Sequence, residues 1–163
     1  MKILLLRHAE AEDAPYPELL RPLTPGGRKS VKDLSREIDR SGLRVDAIVA
    51  SPLTRAVQTA EILLSRLSDK HPVRRVGCRV ELACDFLSST FSRQTFHAFL
   101  AGSGFDGLVL VGHEPSLLVL ASWIAPSRAR SGDFEGIRKA SGLLFEWSPE
   151  SEGIFDGRLF PKH

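Results

Sequence analysis

The chain has 163 residues, 42% of them hydrophobic and 26% charged, which is the length of one domain and an ordinary globular composition, so intrinsic disorder is excluded. A domain of this size buries about 70% of its extended-chain surface and needs neither a disulfide nor a metal to fold. With 22 basic and 20 acidic residues the net charge is only +2, no footprint for nucleic acid or a membrane, so an anion must be met by a few placed cations. Cys78 and Cys84 form neither a dense secreted-type framework nor the C-x-x-C pair of a zinc site, and no metal or cofactor is expected. The apolar residues 3–6 ahead of Arg7 are too few for a signal peptide's core, and no run reaches transmembrane length; the expectation is a cytoplasmic protein with a single domain over residues 1–163.

Residues 3–6 form an unbroken apolar run, as in a strand buried on both faces of a parallel sheet. A polar, proline-bearing loop is predicted over residues 10–21. Thr24-Pro25 is a cap followed by proline at the first helical position, and Val31, Leu34 and Ile38 mark an amphipathic helix that stops at Gly42. Residues 46–50 read as a second strand, and Ser51-Pro52 as another cap-then-proline start for a helix through Leu67. A third strand is placed over residues 73–82 and a helix over 91–100, before Gly102 and Gly104. Residues 108–111 form a buried strand that leads through Gly112-His113-Glu114-Pro115-Ser116 into a helix ending near Trp123. A loop is predicted over 125–136, and strands over 143–147 and 154–160 form a closing hairpin at a sheet edge, joined by residues 148–153. Strands alternating with helices imply a three-layer α/β/α domain with a mostly parallel central sheet.

Three of the strands end in polar residues: Arg7-His8, Ser51-Pro52-Leu53-Thr54-Arg55, and Gly112-His113-Glu114. Ligands of open α/β sheets bind beyond the carboxyl ends of the strands, so neighbouring strands would turn Arg7, His8, Arg55 and His113 into one cleft. Each residue alone has a bland reading, as a strand-end or helix-surface arginine or a structural histidine. Together, two guanidiniums, two imidazoles and the helix N-termini after Ser51 and Pro115 suit a phosphoryl group.

Leu5-Leu6-Arg7-His8-Ala9, Arg21-Pro22-Leu23-Thr24-Pro25-Gly26-Gly27-Arg28, Ser51-Pro52-Leu53-Thr54-Arg55-Ala56-Val57-Gln58-Thr59-Ala60 and Val111-Gly112-His113-Glu114-Pro115 resemble the motifs of the histidine phosphatase superfamily. The order and spacing are those of the phosphoglycerate mutase-like proteins, and above all of the short SixA-type phosphohistidine phosphatases. The resemblance implies a phosphoglycerate mutase-like fold, His8 as the nucleophile that accepts the phosphoryl group, and Arg7, Arg55 and His113 as the pocket that binds it. The superfamily commonly has Gly where Ala9 stands, and often Asn where Glu114 stands. Larger members supply an acidic general acid from the segment after the middle strand, where Glu81 and Asp85 are the candidates, with Glu114 and Glu10 as outsiders. The bland reading of each is a solvated or salt-bridged carboxylate.

A phosphohistidine substrate demands less of an acid, because imidazole leaves more readily than an alkoxide, so the expected partner is a phosphorylated protein, with small phosphomonoesters as the alternative. A metal-dependent deaminase is weighed against this because His8 and Glu10 form an H-x-E pair, but its P-C-x-x-C half is missing. A cysteine phosphatase would need Arg six residues after its nucleophile, where Cys84 and Thr90 stand instead. A phosphate-binding module without turnover is the remaining rival, and His8 beside two arginines and a second histidine speaks against it.

Overall fold

The computed structural model describes residues 1–73, 75–78, 91–134 and 136–162. Among them, six strands form one sheet in the order β3-β2-β4-β1-β5-β6. These are β1 (Lys2–Arg7), β2 (Ala47–Ala50), β3 (Arg75–Cys78), β4 (Gly107–Gly112), β5 (Gly142–Ser148) and β6 (Ser151–Leu159). The strands β1 to β4 pair in parallel, and β5 joins β1 antiparallel. The helices are α1 (Pro25–Arg40), α2 (Thr54–Leu67), α3 (Arg93–Gly102), α4 (Ser116–Ile124) and α5 (Pro126–Arg130).

The central strands are apolar on both faces because both faces are covered. Leu4 and Leu6 pack with Val31, Leu34 and Ile38 of α1 and with Ala60, Leu63 and Leu67 of α2. Ile3 and Leu5 pack with Phe96 and Leu100 of α3 and with Leu117, Leu120 and Ile124 of α4. The same alternation runs through β4, where Val109 and Val111 join the first layer and Leu108 and Leu110 the second. This is the expected three-layer α/β/α arrangement with a mostly parallel sheet. At the start of the strands Asp46, itself buried, accepts hydrogen bonds from Asp106 N (2.7 Å) and Gly107 N (3.1 Å), which sets β2 level with β4.

Five features differ from the sequence reading. Helix α2 starts at Thr54, after Ser51 Oγ accepts a bond from Leu53 N at 3.1 Å; the hydroxyl closes a turn instead of capping a helix. The polar loop contains a 3-10 turn over Glu18–Leu20. The segment expected to be an irregular loop holds α5, with Pro126 at its start and Ser127 N and Oγ bound to the Glu152 carboxylate at 2.6 and 2.7 Å. That carboxylate satisfies donors at the helix N-terminus, as an anion does there. The hairpin turns through Pro149 and Glu150 alone, since Ser148 pairs with Ser151, so β5 and β6 are longer than expected and the connection shorter. As expected, the hairpin lies at the sheet edge. Helix α3 begins only at Arg93, where Ser92 and Thr95 close a capping box, and Gly102 belongs to its last turn. Of the strand expected over residues 73–82, Arg75–Cys78 form β3, Val73 lies outside it, and residues 74 and 79–82 lie outside the described residues.

Candidate active site

The strands β2, β4 and β1 are neighbours, in a register that sets Ala50 beside Val111 and Arg7 beside Gly112. The segments that leave them stay tied to the sheet. Arg7 N donates to Ser141 O (2.9 Å), His8 N to Gly112 O (2.9 Å), Ser51 N to Val111 O (2.8 Å) and Ala140 N to His8 O (3.2 Å). One residue further, Ala9 N donates to Thr59 Oγ1 at 3.2 Å, and that hydroxyl donates to Arg55 O at 2.7 Å. The backbone that carries His8 is thus pinned to α2, the helix that carries Arg55.

His8 is 7% exposed and Arg55 5%. The ring of His8 lies with Nδ1 2.7 Å from Ala9 O and Nε2 3.1 Å from Arg55 Nε. A carbonyl only accepts and a guanidinium only donates, so Nδ1 carries the proton and Nε2 presents its lone pair. Burial pushes the His8 pKa down to about 4, and the positive charges of Arg55 and Arg7 and the ring of His113 add to this against the hydrogen bond to Ala9 O. At neutral pH His8 is therefore an uncharged imidazole whose unprotonated Nε2 accepts from a guanidinium.

Arg7 Nη1 donates to Ile137 O at 2.8 Å and to Glu114 Oε2 at 3.4 Å, while its buried Nε has no hydrogen-bond partner among the described residues. The other carboxylate oxygen of Glu114 accepts from Ile137 N. Glu114 therefore clamps Arg7 to the connection between α5 and β5. Both of its oxygens accept hydrogen bonds from this connection and from Arg7. Glu81 and Asp85 lie outside the described residues. Glu10 is exposed, with Thr24 Oγ1 3.3 Å from its Oε2.

A residue missed by the sequence reading also belongs here. Glu18, on the 3-10 turn, accepts from Arg55 Nη2 at 2.6 Å through Oε1 and from Arg21 Nη1 at 2.9 Å through Oε2, and its carbonyl accepts from Arg55 Nη1 at 2.8 Å. The hydrogen bond from Arg21, with the charge of Arg55 beside it, holds the Glu18 carboxyl below the usual carboxylate range. A carboxylate resting on Arg55 marks where this guanidinium receives an anion. The only sequence signal was the i,i+3 pairing of Glu18 with Arg21; nothing in local periodicity brings Glu18 to a helix 37 residues away.

The structure thus brings Arg7, His8, Arg55 and His113 to one end of the sheet. Among the described residues no cluster of three or more His, Cys, Asp or Glu could hold a metal ion. No helix among them is long and apolar enough to cross a membrane.

Residues 3–76 match the family model of the histidine phosphatase superfamily, branch 1. An uncharacterized protein of Picosynechococcus sp. is 35% identical over 133 residues, covering 77% of this chain and 73% of that protein. The chain belongs to the histidine phosphatase superfamily. As a histidine phosphatase it is also 34% identical over 77 residues to the mitochondrial serine/threonine-protein phosphatase Pgam5 of Drosophila ananassae, and that match covers 47% of this chain and 26% of the relative. In fold it is similar to the protein histidine phosphatase SixA complexed with tungstate, with TM-score 0.81, 18% identity, and 99% and 97% of the two chains covered. It is likewise similar to the alpha-ribazole phosphatase of Shigella flexneri, with TM-score 0.71, 18% identity, and 99% and 96% covered. The fold expected from four short motifs is thus the one these solved structures share.

Proposed function

We propose that this phosphatase hydrolyses phosphohistidine on a protein, through a phosphoryl group carried transiently on His8. The observation that carries the reading is the His8 ring: Nδ1 held by a carbonyl, Nε2 with a lone pair, and cations on either side. In the first step the Nε2 lone pair attacks phosphorus, forming an N–P bond as the bond to the leaving imidazole breaks. The electron pair goes to the leaving nitrogen, which takes its proton from solvent. Water then attacks the phosphohistidine, inorganic phosphate departs, and Nε2 regains its lone pair. Arg7 and Arg55, with His113, meet the charge on the equatorial oxygens, where catalysis of phosphoryl transfer is chiefly positioning and electrostatics.

The described carboxylates support an imidazole as the leaving group. Glu114 and Glu18, the described carboxylates bonded to the pocket's arginines, are both engaged as acceptors. A site served in this way suits a leaving group that needs little protonation, and an imidazole departs more easily than an alkoxide. The fold similarity to a protein histidine phosphatase supports the same choice.

Rapid quenching with a histidine-phosphorylated peptide should trap an acid-labile, base-stable phosphoenzyme on His8, and His8→Ala should abolish turnover. Label on Ser or Asp, or full activity in His8→Gln, overturns the mechanism. A panel of phosphohistidine proteins, sugar phosphates and phosphoserine peptides should give the highest kcat/KM for phosphohistidine; a sugar phosphate ahead of it assigns the enzyme to small phosphomonoesters.

A further inference from the structure

Beside Arg7 lies a cleft of about 800 Å³ between the connection leading into β5, the end of β6 and α1. Its walls carry the cations Arg7, Arg138, Lys139 and Arg158, together with the hydroxyls of Ser30 and Ser141, and no described lining residue is acidic. This concentration stands out in a chain whose net charge is +2. Arg138 and Lys139 are exposed and make no ion pair with a described carboxylate, unlike Lys29, Arg36 and Arg40 on neighbouring α1, which bind Asp33 and Glu37.

The segment bearing these cations is held from several sides. Ile137 N donates to Glu114, and Ile137 O accepts from Arg7. Ala140 N donates to His8 O, Ser141 N to Arg138 O at 3.1 Å, and Arg158 Nη1 to Gly136 O at 2.8 Å. Arg138 and Lys139 therefore sit between a residue bonded to Arg7 and a residue bonded to His8, on backbone that has little freedom left. Cations fixed in this way bind an anion with less ordering cost than cations on a free loop.

We infer that this cleft is a second anion subsite, which receives Asp and Glu side chains flanking the phosphorylated residue of a protein substrate. The inference rests on the reading of the enzyme as a protein phosphatase. A phosphoryl group on His8 leaves the cleft unfilled, since about 300–1,000 Å³ is the size of a site for a whole ligand. Arginine forks match carboxylates in bidentate fashion. Phe160, 51% exposed on the cleft wall, offers a surface for the aliphatic stem of a glutamate. A nucleic acid would call for a basic stripe across one face, whereas these cations are gathered in a single recess.

The test compares two histidine-phosphorylated peptides of one sequence, flanked by Glu in one and by Gln in the other, together with p-nitrophenyl phosphate. Wild type should show a lower KM for the acidic peptide, and R138Q/K139Q should raise that KM about tenfold, the equivalent of two rim charges. Its kcat, and its kinetics on p-nitrophenyl phosphate and on the Gln peptide, should not move. An equal effect on both peptides, or none, overturns the subsite. Fluorescent hexaglutamate without phosphate should also bind wild type more tightly than the double variant, and tighter binding of a labelled oligonucleotide would assign the cleft to nucleic acid instead. Because hexaglutamate binding needs no turnover, loss of this difference refutes the subsite alone, whereas p-nitrophenyl phosphate hydrolysis that survives His8→Ala refutes the phosphatase mechanism alone.

Discussion

At the scale of single residues, two features separate His8 from a structural histidine: its protonation state and the atom it leaves available. The ring of His71 accepts from Val45 N and bonds to Asp39, and so is engaged on both nitrogens by its own scaffold. His8 is held on one nitrogen only by the backbone, and the other meets the Arg55 guanidinium, a cation that a phosphoryl group can share. An NMR titration of the His8 ring should find a midpoint near 4 and the Nδ1-protonated tautomer throughout the neutral range; a midpoint at the ordinary 6.5 would remove desolvation as the cause. Glu114 is a positioning residue, since it acts through Arg7 and Ile137. Glu114→Gln should lower kcat about tenfold, by loss of a charge-assisted contact, and equally for aryl and alkyl phosphates. A loss confined to alkyl phosphates would make Glu114 the general acid after all. The motifs made His8 and Arg55 legible in the sequence. Glu18 was not, because its partner is set by how the 3-10 turn folds over α2.

At the scale of elements, local chemistry was read correctly where a segment's partners are its own neighbours. Thr24 caps α1 by accepting from Gly27 N at 2.9 Å, as its sequence anticipates. Helix α5 was missed because its N-terminal donors are met by Glu152, 25 residues away. Gly27 links this level to the site. A Cβ there would lie 2.2 Å from Glu10 O, so the start of α1 presses directly on the chain that leaves His8. Gly27→Ala should cost about 2 kcal/mol or more in urea denaturation, through a backbone clash that cannot relax at a side-chain end, and should lower kcat by shifting the His8 backbone. Unchanged stability would mean that the two segments are free to separate.

At the scale of the whole molecule, burying a neutral His8 ties stability to pH. Between about 4 and the ordinary 6.5, an unfolded chain takes up a proton that the folded ring refuses. Stability is therefore full above 6.5 and declines as pH falls toward 4, by roughly 1 kcal/mol per pH unit within that window. His8→Gln should lack this slope, so the difference in urea midpoint between the two proteins should change across pH 4–6.5 and stay constant above it; a constant difference throughout refutes the burial account. Carboxylates held low, such as Glu18, weaken the fold only at more acidic pH, below their unfolded range. The sequence alone determined that strands and helices alternate, which strands are covered on both faces, and that basic and imidazole groups stand at the ends of three strands, because these depend on residue type and short spacing. Only the tertiary structure decided that β2, β4 and β1 lie side by side, that Glu18 comes to rest on Arg55, and that Arg138 and Lys139 share a recess with Arg7. Those are pairings between segments far apart in the chain, selected by the packing of the whole sheet. The neutral state of the His8 ring has the same origin: a second proton is disfavoured by burial and by the charges of its chain neighbour Arg7 and of Arg55, which α2 brings across.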